Sequence, residues 1–193
     1  MPISEEQHRA AGDFVEMIAL RMGSGRTIHP ETAIAASARL SGSLLLRSFD
    51  FDLETPEPGA VLLSEEANVR GPNLINLVAA FLQGHQISLD PSKIDGASEN
   101  RGSEPNLDTQ QSLSLLQTDG LKIAQQHSLS MQEAAEAAAL ATAFIVKECI
   151  PSIGGETGFN IAAYGFVEGC KTVPPRLDQP SDHPASKHWY KFW

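Results

Sequence analysis

The sequence predicts an all-α chain, a six-helix bundle with an extended C-terminal tail, on three observations. First, Ser4 with Gln7 and Ser130 with Glu133 have the capping-box spacing, in which each side chain satisfies the other residue's free backbone N–H, and each precedes a long helical run. Second, residues 131–149, MQEAAEAAALATAFIVKEC, are rich in alanine and carry no charge from Ala137 to Val146. A helix apolar nearly all round is a buried one, and small side chains let neighbouring backbones approach, so this helix is expected at the centre of the bundle. Third, an amphipathic helix, a small-residue helix, a loop and a glycine-interrupted helix occur before a polar stretch at 88–106, and the same order follows it. That order predicts two tandem three-helix units about a pseudo-two-fold axis, with the second and fifth helices face to face.

The first helix is predicted over 5–22, with Ala11, Phe14, Ile18 and Met22 inward and Glu6, Arg9, Asp13 and Glu16 toward water. Gly23 and Gly25 stop it. Pro30 suits the first position of a second helix over 30–47, where its missing N–H costs nothing. Its only charges after Glu31 are Arg39 and Arg47, so it too is largely buried. Residues 49–59, FDFDLETPEPG, read as a loop. Helical signal resumes at Val61, and Pro72 demands either a kink or two helices. The piece at 73–83 then aligns Leu74, Leu77, Val78 and Phe81 on one face.

Residues 88–106 are polar, glycine-bearing and nearly free of large apolar groups, the composition of a linker. A calcium loop counted from Asp90 fails, because Ile94 and Asp95 fall where a ligand and a glycine are required. The fourth helix is expected over 108–126, with Leu113, Leu116, Ile123 and Ala124 on one stripe. The fifth ends at Pro151, Gly154 and Gly155, and the sixth covers 158–169 with Ile161, Tyr164 and Phe166. Gly165 and Gly169, four residues apart, mark a surface for close packing. The predicted organisation is thus 1–87, a linker at 88–106, 107–173, and a tail at 174–193, all within one compact domain. The second and third helices can be laid over the fifth and sixth, 30–49 on 131–149 and 64–84 on 154–169.

Composition narrows the function classes. Fourteen basic against twenty-four acidic residues give a formal charge of −10, which repels phosphate backbones and anionic lipid. A protein partner or a homodimer is expected instead of nucleic acid or membrane. Two cysteines outside any C-x-x-C spacing, an acidic start and no apolar run of membrane-spanning length point to a cytoplasmic protein.

No hydrolase, phosphate-cradling or zinc motif is present, and neither a cofactor nor a metal is expected. Glu5 and His8 have the E-x-x-H spacing of di-iron bundles, but no second pair accompanies them, so they read as a solvated first turn. His29 is placed to cap the second helix, and His85 and His127 each follow a helix end. The remaining catalytic candidates are carboxylates. Glu66, beside Glu65 and Asn68, and Glu156, beside Asn160, occupy matching positions in the two halves, and a two-fold axis is able to bring such a pair together for acid–base work.

The tail is a binding candidate. Four prolines at 174, 175, 180 and 184 precede Trp189, Tyr190, Phe192 and Trp193, which include both tryptophans of the chain. Aromatic groups of that size expose much apolar surface unless they dock. The sequence therefore reads as a self-associating, protein-binding helical module. The alternatives are an enzyme with a carboxylate site between the halves and a carrier of a small apolar ligand.

Overall fold

The computed structural model describes residues 3–23, 29–94 and 104–177. Among them the fold is all-helical, with six α-helices: α1 Glu5–Met22, α2 Pro30–Arg47, α3 Glu65–Gly84, α4 Thr109–Gln126, α5 Met131–Ile153 and α6 Gly155–Lys171. Both predicted capping boxes form, at Ser4 and Ser130, and a third forms between Asp108 and Gln111 at the start of α4. Pro30 opens α2, and the His29 ring accepts from the Thr32 N–H at 3.3 Å.

Successive helices alternate between two layers. In one, α5 lies between α1 and α3; in the other, α2 lies between α4 and α6. Residue pairings give the directions. Gln7 of α1 meets Glu136 of α5 and Arg70 of α3 meets Gln132, so the three helices of that layer run parallel. Arg39 and Arg47 of α2 reach Ser112 and Gln117 of α4, and Ile34, Ala38 and Ser43 of α2 meet Gly158, Gly165 and Gly169 of α6, so the second layer is parallel too. Across the layers the direction reverses. Ser37 bonds Thr142 at 2.7 Å and Ser41 donates to the Ala135 carbonyl at 2.7 Å.

The closest helix crossing is α2 on α6, not α2 on α5. Gly42 lies against the backbone of Phe166 and Cys170, and Gly169 against that of Arg39 and Ser43; a β-carbon on either would overlap those atoms. The Gly165–Gly169 pair was legible as a packing surface, but its partner was not. The α5-to-α6 connection is a single residue, Gly154, held at φ +84°, a conformation open to glycine and strained for other residues.

The structure sharpens four expectations. Of the two outcomes that Pro72 left open, α3 is one helix through it, and Pro72 lies on the exposed side. α5 is buried on its inner side, where Ala139 is 0% exposed, but Phe144 on its outer side is 40% exposed. α2, despite Arg39, is the more completely buried of the two central helices. The linker is docked where it is described. Leu89 packs at Gly155, the Asp90 N–H donates to Glu156 at 2.9 Å, and a 3₁₀ turn at Pro91–Lys93 places the Lys93 carbonyl to accept from Asn160 at 2.8 Å. On its far side the Asn106 N–H donates to Thr32 at 2.9 Å. Apolar Leu89 and Ile94 and these backbone bonds offset the ordering entropy that polar composition alone would leave unmatched.

The helices of each half touch the other half more than one another. Residues 59–62 run antiparallel beside 171–173, and Gln110 and Gln117 of α4 donate to the Val173 and Pro175 carbonyls at 2.8 and 2.9 Å. The root of the tail is therefore bound to the outer face of the α2 layer.

Candidate functional site

A groove runs over the outer face of α5. Its floor is Leu140, Ala141 and Phe144; α1 supplies His8, Ala11, Gly12 and Val15 as one wall, and α3 supplies Phe81 as the other. The cavity is about 280 Å³ and its lining is almost wholly apolar. It exists because α1 and α3 both pack on α5 without closing over it. The alanines of α5 bring the neighbouring helices close at the inner side, while Gly12, which has no atom within 4 Å of its β-carbon position, leaves the outer side open.

Polar groups hold the walls in place. The Gln7 amide donates to Glu136 at 2.8 Å and to the Glu133 carbonyl at 3.3 Å, and Arg70 bonds Gln132. The His85 ring packs on Phe81 with centroids 4.2 Å apart, and the Lys147 ammonium lies 5.5 Å from the Phe144 ring. Closer to the α5 N-terminus a second, more polar recess is lined by Ile3, Asn73, Asn76, Leu77, Gln132 and Glu136.

Behind α1, His127 at the end of α4 bridges Glu6 at 2.8 Å and Asp13 at 2.7 Å. Its pKa is raised, first by the bond to Asp13 and then by the bond to Glu6, because both carboxylates favour the protonated ring. Glu6 is lowered in turn, chiefly by His127. His127 stands at the C-terminal end of α4 as expected, and its ring in addition links α4 to α1.

The two carboxylate candidates are not brought together. Glu66 is exposed in the first turn of α3, where Ala67, Asn68 and Gly71 border a slot with Cys170 and Lys171 at the far end of α6. Glu156 is in the first turn of α6, where the Asp90 N–H, its main partner, holds its carboxyl below the usual range. Fifteen residues of α6 separate Glu156 from Lys171, about 22 Å at 1.5 Å per residue. In antiparallel helices, matching N-terminal positions go to opposite ends, which is why the pairing fails. Asn160 is 0% exposed, and its side-chain oxygen has no partner among the described residues.

His8 is exposed, and its Nδ1 lies 2.8 Å from the Ser4 carbonyl oxygen. Among the described residues no cluster of three or more His, Cys, Asp or Glu side chains is arranged to hold a metal, and no helix is long and apolar enough to cross a membrane. Both cysteines are free, and burial pushes the Cys170 thiol up to about 12, far from a reactive thiolate. Trp189, Tyr190, Phe192 and Trp193 lie outside the described residues.

The groove was missed because Leu140 and Phe144 read as part of a uniformly buried helix. One signal did mark it. Ala11 and Val15 form a second apolar row beside Phe14 and Ile18, wider than a core-facing stripe requires. Fold and groove together define a two-layer all-α bundle with an apolar surface cleft. Comparison of the chain with protein-family models, curated proteins and solved structures finds no match.

Proposed function

We propose that the protein is a helical binding module that takes a short aromatic-bearing peptide segment into the groove over α5. The observation that carries this reading is the apolar floor of half-buried Leu140 and exposed Phe144 between walls fixed by α1 and α3. A helix pair flanking an apolar trough is a recurrent way of recognising a segment through a few anchor side chains. The acidic surface favours a segment that carries lysine or arginine beside its aromatics. A small-ligand carrier is less well supported, since about 280 Å³ open along one side falls at the lower edge of the roughly 300–1,000 Å³ of drug-sized sites. The alternating layers also support, as a proposal, two fused three-helix units exchanged by an internal two-fold.

A displayed-peptide library panned on the chain with and without the aromatic residues 187–193 tests the binding reading. Enriched peptides should pair aromatic with basic residues, and Gly12→Leu, whose β-carbon meets no atom within 4 Å and whose side chain extends into the groove, should lose them. Equal enrichment on the variant rejects the groove as the site.

A further inference from the structure

Taking the groove as a segment-binding site, we propose that its resident occupant is residues 187–193 of the same molecule, KHWYKFW. The direction of the chain supports this. Gln110 holds the Val173 carbonyl and Gln117 holds that of Pro175, so the last described residues travel along α4 toward its C-terminal end. At that end His127 is joined to Glu6 and Asp13 of α1, and on the other side of the same stretch of α1 lies His8, at the end of the groove. From Gln117 to His127 is ten residues of helix, about 15 Å, and crossing α4 and α1 adds two helix widths of about 10 Å each. Trp189 is fourteen residues beyond Pro175, a reach of up to about 46 Å. The arm is long enough to enter the groove of its own chain.

Chemistry agrees with reach. Residues 187–193 hold four aromatics with Lys187, His188 and Lys191 and no acidic group. Without its two lysines the rest of the chain has a formal charge of −10 − 2 = −12. The groove presents an apolar floor for the rings, Glu136 lies one turn before Leu140 on α5 in the neighbouring recess, and exposed Glu5 lies one turn before His8 on α1. A docked arm competes with any outside segment, so a partner binds by displacing it.

Trp189 and Trp193 are the only tryptophans, so fluorescence of the intact protein reports on the arm alone. Emission should be blue-shifted and shielded from acrylamide, and light scattering should give the mass of one chain. Gly12→Leu and Phe144→Glu should each shift the emission red and raise quenching several-fold with far-ultraviolet circular dichroism unchanged. Leu20→Glu, an exposed position on α1 off the groove, should change nothing. Water-like emission from the unmodified chain overturns the proposal. So does shielding that survives both groove variants, or shielding in a two-chain species that is lost on dilution. If tryptophan is water-like yet Gly12→Leu still abolishes peptide enrichment, the arm proposal falls while the binding module stands. If the groove variants release the arm but no peptide is enriched even on the chain lacking residues 187–193, the arm proposal stands and the partner reading falls.

Discussion

The two central helices, α2 and α5, have similar small-residue sequences and opposite outer faces. α2 is covered on both sides. α5 packs on its inner face, α4 and α6 flank it, and α6 approaches to backbone contact at Gly42. Its one mid-helix charge, Arg39, is 6% exposed and makes three hydrogen bonds. The guanidinium donates to Glu168 at 2.7 Å, to the Leu107 carbonyl at 2.6 Å and to Ser112 at 3.2 Å. Among the described residues the uncharged helix, α5, is the one left open. Absence of charge shows that a helix tolerates burial, whereas coverage depends on which distant segment happens to cross it. A guanidinium with three partners is more deeply buried than a phenylalanine that no described residue covers.

The sharpest way to break this comparison is to overpack the covered helix. Gly42→Leu drives a side chain into the backbone of Phe166 and Cys170, which has nowhere to move, and should cost about 3 kcal/mol or more, or prevent folding. Gly12→Leu on the open side, compared in the chain lacking residues 187–193, should instead be neutral or gain about 0.5–1 kcal/mol, since glycine is a poor helix former. Urea denaturation of the pair checks both, and equal losses would erase the distinction between the faces.

Next in size is Arg39→Ala. It strands Glu168 and the Leu107 carbonyl and should cost about 2–3 kcal/mol, less than the roughly 3–5 of a fully buried pair because Glu168 retains some contact with water. A loss below that range, by the same denaturation, would mean the outer face of α2 is held by apolar packing alone.

Within α5 the two faces are compared directly. Ala139→Leu, on the inner side, should cost about 1–3 kcal/mol, and Phe144→Ala, on the groove floor, less than about 1. A melt unchanged by Ala139→Leu would place that position outside the core.

The smallest effect concerns the His127 link that holds α1 beside the groove. Its pKa is raised in the folded chain, so its contribution is complete below the unfolded value of about 6.5 and is lost as pH rises through the folded value. Glu6 is lowered, so its share is present above the ordinary 4.5 and is lost as pH falls through its folded value. The melting temperature should therefore decline from about pH 6.5 upward in the unmodified chain and more gently in His127→Gln. Parallel pH profiles would show that the ring contributes nothing to holding α1.

Local signals in the chain determined where the helices are. Capping boxes at Ser4 and Ser130, Pro30 and the glycines around 154 act within one turn of their own residues, so α1 and α2 were legible to their ends. Composition determined the acidic surface and the all-α class. Tertiary structure alone decided the rest. Whether Pro72 broke its helix turned on its exposed position, and whether 88–94 stayed a linker turned on partners at Gly155, Glu156 and Asn160, more than sixty residues away. Glu66 and Glu156 were separated by the antiparallel course of α3 and α6, and the groove arose where α1 and α3 stop short of closing over Phe144. Capping and periodicity are energies of neighbouring residues, while coverage is an energy of surfaces that meet only after the chain has folded.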